Sequence, residues 1–303
     1  MKSKLRVVID PKRCVGCKLC LDVCPDKTIS MAEKVAVVSG EKCIACGHCQ
    51  AVCPAAAIIV GDIDPESSVF SSFTVDDRWL APGAFDLAAL VRLMASRRSC
   101  RNYTERQVER AILGDLVKIA ITAPSGTNSQ QWTFTILDRR AKVEQLGVRV
   151  AACFKKLNRM AVNPFYRIIS KVFGADSLGN YYRRYYKTIR DGIKEWENGG
   201  RDLLFHGAPA VILVGAAPGA SCPMEDAMLA SQNILLAAHA MGLGTCLIGF
   251  AVAAIKRDPA IKKFLAMPAA ETVYAVITLG YPAEVYQRTA GRKKIEPRYP
   301  EVF

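Results

Sequence analysis

Apolar positions along this chain keep different rhythms in different stretches. Short apolar segments stand near the start, Val7, Val8 and Ile9, and again at Ile58, Ile59 and Val60. From residue 85 the spacing becomes helical: Phe85 to Ala95 places Leu87, Leu90, Val91 and Met94 on one face. Thr104-Glu-Arg-Gln107 has the capping-box form and opens a second predicted helix, with Val108, Ile112, Leu116 and Ile119 on its face and its end before Pro124. Trp132 to Leu137 alternates as a strand does, and Ala210 to Val214 and Val273 to Leu279 also read as strands. Ala227 to Met241 reads as a helix ended by Gly242 at the C′ position. Helices and strands mix without a regular βαβ rhythm, which favours an α+β fold over a doubly wound one.

Polar and small residues divide the chain. Gly61 to Ser72 is polar, and Ala81-Pro-Gly closes the passage. We read residues 1–62 as one small domain, 63–84 as a linker and 85–303 as a second domain. Within the second, residues of about 150–200 form a basic-aromatic helical insertion, with Phe165-Tyr-Arg-Ile-Ile-Ser-Lys-Val-Phe173 and Tyr181-Tyr-Arg-Arg-Tyr-Tyr186. Three readings of that insertion stay open: aromatic helix faces packed on the domain, a cover that selects a substrate, or contact with a membrane surface or nucleic acid. The composition, 51% hydrophobic and 23% charged, is that of a globular chain. Ser231, Gln232, Asn233 and His239 interrupt the longest apolar stretch, which argues against a membrane span. No apolar h-region follows Met1-Lys-Ser-Lys, so no export signal is expected.

Eight of the 12 cysteines fall in two copies of one spacing. Cys14, Cys17, Cys20 and Cys24-Pro25 form the first; Cys43, Cys46, Cys49 and Cys53-Pro54 form the second. C-x2-C-x2-C-x3-C-P is the bacterial ferredoxin pattern for [4Fe–4S] clusters. A tight loop can point three thiolates at one cubane, and the fourth cysteine of each run ligates the other cluster. That predicts one cluster on Cys14, Cys17, Cys20 and Cys53, and a second on Cys43, Cys46, Cys49 and Cys24. A zinc site also uses C-x2-C pairs, but it does not need the C-x3-C-P ending, which occurs here twice. Residues of about 1–62 thus resemble two-cluster ferredoxin domains. The formal charge of +13 falls to +9 once two clusters of −2 each are counted. Reduced cluster thiols, with no export signal, indicate the cytoplasm.

A second signal is Ser96-Arg97-Arg98-Ser99-Cys100-Arg101-Asn102-Tyr103. Arginines and a serine in succession suit a phosphate, although such a run is also a common solvated helix end. The loop Ala123-Pro124-Ser125-Gly126-Thr127-Asn128-Ser129-Gln130-Gln131-Trp132 adds amides, hydroxyls and free N–H groups between a helix and a strand. Together S-R-R-S-x-R-x-Y and A-P-S-x-x-N-S-Q-x-W resemble the nitroreductase family of FMN enzymes. Phe205-His-Gly-Ala-Pro209, the helix Gln232 to Gly244 running into Thr245-Cys-Leu-Ile-Gly249, and Leu279-Gly280-Tyr281-Pro282 agree in order. The resemblance covers about residues 85–296, and the whole chain resembles a ferredoxin–nitroreductase fusion.

The resemblance implies roles. Arg97 and Ser99 match positions that hold the FMN phosphate, and Arg98 a neighbouring flavin contact. Arg101 matches the cation near the flavin N1/O2 edge, and Asn128 and Gln130 match amides at the ribityl chain or ring edge. Pro124 and Ser125 match a loop that reaches the flavin from the partner subunit of a homodimer. Leu247, Ile248 and Gly249 match backbone beside the ring. Arg292, with Lys293 or Lys294, matches basic residues that close over the phosphate. Gln131 departs from the pattern, standing where proline is common. Of the remaining residues, Gly242-x-Gly244-x4-Gly249 follows a helix and so does not fit a Rossmann loop. His239 reads as a packed core residue and His206 as a turn residue, and Cys100, Cys153, Cys222 and Cys246 as buried thiols. No catalytic acid–base pair stands out. The expected function is electron transfer through two [4Fe–4S] clusters to FMN and on to a small conjugated acceptor, such as a nitroaromatic or a quinone. The donor is left open between a low-potential redox protein, which the clusters favour, and NAD(P)H, with no nucleic-acid partner and no stable membrane insertion expected. The alternative is an electron-transfer module that relays between protein partners without a small substrate of its own.

Overall fold

The computed structural model describes residues 7–173 and 175–300. Met1 to Lys4 and the outermost ends of both expected domains lie outside the described residues. The first body is built twice over. Strands β1 (Val7–Ile9) and β4 (Ile58–Val60) pair antiparallel, and β2 (Ile29–Ala32) and β3 (Val35–Val38) form a hairpin. Short helices α1 (Leu19–Asp22) and α2 (His48–Ala51) carry Cys20 and Cys49 inward. The doubling reaches the backbone. Left-handed residues recur at equal offsets from each first cysteine: Gly16 and Ala45, Lys18 and Gly47, Lys27 and Ala56. At Gly16 the constraint is strict, because a Cβ there would lie 2.5 Å from the Lys34 carbonyl oxygen.

The second body is a four-stranded antiparallel sheet, ordered β5 (Trp132–Leu137), β6 (Ala210–Ala216), β8 (Thr272–Gly280), β7 (Gly244–Leu247). Every residue of β6 is buried, because helices cover both sheet faces. On one face lie α4 (Arg110–Ala120) and α9 (Pro223–Ala240), packed on Ile212, Val214, Ile277 and Leu279. On the other, α5 (Arg140–Val162), α10 (Gly249–Arg257) and α11 (Pro259–Phe264) pack on Val211, Leu213 and Val276. This is the expected α+β architecture. The insertion is helical throughout: α5 continues into α6 (Pro164–Phe173), α7 (Ser177–Arg184) and α8 (Tyr186–Glu197). Among the described residues no helix is long and apolar enough to cross a membrane.

Two expectations change. The capping box does not open α4, which starts at Arg110. Thr104 N–H instead bonds the Tyr281 carbonyl at 2.8 Å, and the Gln107 amide donates to the Asp138 carbonyl, so both anchor an extended segment to the sheet. Helix α3 (Leu87–Ser96) forms, capped by Asp86, yet no residue of it is buried. Leu87, Val91 and Met94 face outward, as do Met224, Met228 and Leu229 of α9. An apolar helix face left in water is the mark of a missing partner surface.

The linker is moored along α4. Asp115, 1% exposed, accepts from the Ser71 and Ser72 N–H groups and the Ser72 hydroxyl, and Lys118 bonds the Val69 carbonyl. Burial pushes the Asp115 carboxyl up, but the Ser72 hydroxyl and the two N–H groups more than reverse it, so it titrates below its ordinary value. A carboxyl with a depressed folded-state pKa stabilises fully above its unfolded value, about 3.9, and loses that contribution as pH falls through the folded value. Asp115→Asn is therefore expected to cost about 2 kcal/mol at neutral pH. Urea melts across a pH series should show the gap to wild type closing in acid; a gap independent of pH would contradict this account.

Candidate functional site

The thiols of the first body gather in two chambers, each closed by a crossing cysteine. Cys14, Cys17 and Cys20 share one with Cys53; Cys43, Cys46 and Cys49 share the other with Cys24. All eight are free thiols. Backbone N–H groups point at sulfur: Thr28 to Cys24 Sγ and Ala57 to Cys53 Sγ, each at 3.3 Å, with Ala45 to Cys43 Sγ at 3.3 Å and Ala36 to Cys14 Sγ at 3.5 Å. Such donors stabilise thiolate and sulfide charge. Among the described residues no three Cys, His, Asp or Glu side chains close on a point as a single metal ion requires. The thiols instead ring a space in fours, which fits a cubane.

In the second body, the turn after α3 carries Arg97, Arg98, Ser99 and Arg101 onto the end of β7. Ser99 bridges to Thr245, and Cys100 N–H donates to the Thr245 carbonyl at 2.8 Å. Tyr103 pins the turn from below, its hydroxyl donating to the Cys100 carbonyl at 3.0 Å and meeting Thr278 Oγ1 at 2.8 Å. Burial pushes the Arg97 guanidinium down, and the like charges of Arg98 and Arg292 push it further. Arg292 thus lies close enough to Arg97 to act on it from the C-terminal segment. Lys294 pairs with Glu296, and Lys293 is exposed, with nothing drawing it to Arg97. Among the described residues Arg97, Arg98, Arg101 and Arg292 form no ion pair with a carboxylate; Arg292 reaches only the Ala290 and Gly291 carbonyls. Thr245 Oγ1 is the single buried side-chain polar atom without a hydrogen-bond partner among the described residues. Cations gathered at one turn without a carboxylate to balance them form a site for an anion.

Beyond Arg101 the site opens into a cavity of about 750 Å³. Leu247, Ile248 and Gly249 form its inner wall, with His206 and Cys246. Phe154, Tyr181, Tyr185 and Phe250 face them, and Arg184 and Arg257 stand among the aromatic residues. The rings are mutually packed, Phe250 edge-on to both Phe154 and Tyr185 at 5.8 Å. The insertion therefore divides in role: α5 and α7 cover the cavity, whereas Phe165, Ile168, Val172 and Phe173 of α6 stay exposed and do not pack as expected. A smaller apolar gap of about 110 Å³ between α5 and α8, lined by Val150, Ile189 and Trp196, carries no chemistry.

The loop residues lie elsewhere. Ser125 to Gln130 sit at the N-terminal end of α9, where Gly126 N–H bonds Asp226 Oδ1 at 2.9 Å and Thr127 meets Ser221 at 2.6 Å. Arg97 sits at the other end, beside His239. One chain does not bring Pro124, Ser125, Asn128 and Gln130 to the arginines. Asn128 instead donates its side-chain amide to the Ile44 carbonyl at 2.8 Å, inside the second cysteine run. Thr127, Asn128 and Gln130 all hold left-handed backbone, a costly conformation for threonine above all. His239 is half-buried near Arg97, not fully packed, and Cys222 is exposed, contrary to expectation. His206 takes the expected turn, at φ 58°, but also lines the cavity. Tyr181, Arg184 and Tyr185 belong to the basic-aromatic run for which a substrate-selecting cover was one reading, whereas Phe154, Phe250 and Arg257 had no sequence signal to single them out.

Comparison with known proteins agrees with these two bodies. The nitroreductase family profile matches residues 94–281, and that of a 4Fe-4S dicluster domain matches residues 6–54. A protein named 4-nitrobenzoate reductase from Nocardioides sp. strain LMS-CY is 30% identical over 214 residues, 65% of this chain and 80% of the relative. A putative NADH dehydrogenase/NAD(P)H nitroreductase from Archaeoglobus fulgidus is 24% identical over 199 residues, 64% of this chain and 86% of its own. Among solved structures, a nitroreductase with bound FMN from Desulfitobacterium hafniense shares the fold at a TM-score of 0.50, with 23% identity over 70% of this chain and 97% of that one. Behind a 4Fe-4S dicluster domain, then, the chain belongs to the nitroreductase family.

Proposed function

We propose that the chain takes electrons through two [4Fe–4S] clusters to FMN and reduces a small conjugated acceptor. The observation that carries this reading is the arginine cluster of Arg97, Arg98 and Arg292, half-buried or exposed without a carboxylate, beside an aromatic-walled cavity. Leaving like charges together while removing water from them costs energy that a bound phosphate offsets. Arg97, Arg98, Ser99 and Arg292 would hold that phosphate, with Lys293 in reach of solvent above it. Arg101 would set a cation at the N1/O2 edge, and the backbone of Leu247, Ile248 and Gly249 would lie along the ring. FMN there supplies storage of two electrons and their delivery as a pair. Cys14, Cys17, Cys20 and Cys53, and Cys43, Cys46, Cys49 and Cys24, would hold the clusters, which pass single electrons.

The site needs a second copy. Pro124, Ser125, Asn128 and Gln130 would meet the flavin of a partner subunit, and the exposed apolar faces of α3 and α9 are the surfaces such a homodimer would bury. A low-potential redox protein is the expected donor. Eight thiols kept reduced for iron support a cytoplasmic location.

Anaerobic photoreduction tests the reading. It should find about eight iron and one FMN per chain, with flavin bleaching coupled to the clusters. Iron without FMN would remove the assignment of Arg97 to Gln130.

The crossing of cysteines has its own test. Cys14→Ser with Cys53→Ser strikes one chamber and should leave about four iron. Cys14→Ser with Cys24→Ser strikes both and should leave almost none; the reverse pattern would mean that each run holds its own cluster.

The cavity bears on the acceptor. Arg184 and Arg257 stand among four aromatic rings, which favours a flat acceptor bearing an anionic substituent, as the name of the Nocardioides relative also indicates. Both arginines are solvent-exposed, so each contact is modest. Arg184→Gln and Arg257→Gln should each raise KM for 4-nitrobenzoate about fivefold and leave KM for neutral 4-nitrobenzamide unchanged. An equal change for both acceptors would mean that the arginines do not select charge.

A further inference from the structure

The two cofactor sites on one chain do not face each other. The second cysteine chamber lies against the loop at 125–130: Ile44, which lines that chamber, accepts the Asn128 amide at 2.8 Å. That loop is fixed to the start of α9 through Asp226, whereas Arg97 and His239 stand at its end. Helix α9 has 18 residues and so spans about 27 Å. The sheet measures the same separation independently. Trp132 shares a row with Ala216 and Thr272, while Leu247 pairs with Ile277, five residues farther along β8 and three strands across from β5. At about 3.4 Å per residue and 4.8 Å per strand, the loop and the ring-side backbone are roughly 20 Å apart.

A two-fold axis resolves the mismatch. Copies related by an axis perpendicular to α9 set their α9 helices antiparallel, so the start of each lies by the end of the other. The outward Met224, Met228 and Leu229 of α9, with Leu87, Val91 and Met94 of α3, supply an apolar face for that packing. The second cysteine chamber of each chain then abuts the arginine cluster of the other. We propose that the clusters of each subunit reduce the FMN held by the partner subunit's Arg97 and not that of their own chain. The inference rests on the function proposed above. Two successive transfers, each oxidising one reduced cluster by one electron, reduce that FMN by two electrons. Water supplies the protons, and a low-potential one-electron donor re-reduces the clusters.

Differently tagged full-length chains allow purified mixed dimers to test the route. In the first, one chain carries Cys43→Ser with its arginines intact, and the other carries Arg97→Glu and Arg292→Glu with its cysteines intact. In the second, one chain is intact and its partner carries all three changes. Each should hold one FMN, measured before mixing. Stopped-flow reduction by photoreduced methyl viologen should bleach the flavin at nearly the wild-type rate in the first. In the second the rate should fall to that of a dimer carrying Cys43→Ser in both chains. The opposite order overturns the route while leaving the flavin site standing; two FMN per dimer removes the Arg97 assignment and the route with it. A measurement on the wild-type holoprotein needs no variant. In dimers of isotope-labelled and unlabelled chains, a short amine cross-link between Lys42, beside the second chamber, and Lys293, beside Arg292, should join labelled to unlabelled chains. Cross-links confined within chains would contradict the arrangement.

Discussion

Helix α9 sets the spacing on which the site depends. Its inner face, from Ala227 through Ile234 to Ala238, is sealed against β6 and β8. Its first turn holds Asp226, 3% exposed, which fits the positive end of the helix and anchors Gly126. Its last turn closes on Gly242, at φ 78°, and returns the chain to β7, where Thr245 meets Ser99. Because the rod is packed on both the sheet and α4, the loop and the arginines cannot approach one another by flexing. The separation is therefore a property of the core, and in the proposed assembly a second chain would complete the site.

The conformational cost of the site is concentrated where ligands would meet it. Three left-handed residues lie in the four positions from Thr127 to Gln130, and like charges crowd Arg97. Neither feature stabilises the folded chain. Both persist because the two cores on either side of the sheet hold the frame, with Ile212, Leu213, Ile277 and Leu279 almost fully buried. Strain of this kind is expected where a surface is shaped for something other than its own packing.

Much of this was legible in the residues. The cysteine spacing implied the crossed chambers because three thiols exhaust a tight loop, and the structure puts Cys24 in the second chamber and Cys53 in the first. Strand β5 followed from alternation, β6 and β8 were legible as strands, and the end of α9 followed from Gly242. Thr104 misled because a capping box is a local pattern, and its N–H was claimed by the Tyr281 carbonyl, 177 residues away in sequence. Leu87, Val91 and Met94 were legible as one face of a helix but not as exposed, because a helical stripe says that a face is apolar but not what covers it. Arg184 stood in the basic-aromatic run read as a candidate cover, but Arg257 could not be found by spacing, since α7 and α10 meet at the cavity only after the insertion folds back.

The linker shows how weakly composition predicts mobility. Its serines and acidic residues read as a polar linker, yet Ser71 and Ser72 give three donors to one buried carboxylate, and Val69 is held by Lys118 on the same helix. Helix α4 packs in turn on α9. The first body is thus tied to the second twice, through Asp115 and Lys118 along the linker and through Asn128 at the cysteine loop itself. A body held at two separated points has its cysteine chambers at fixed positions, so the proposed electron route would rely on proximity and not on a swinging domain. The polar linker supplies serine donors to a buried aspartate, and the freedom its composition implies is spent on those bonds.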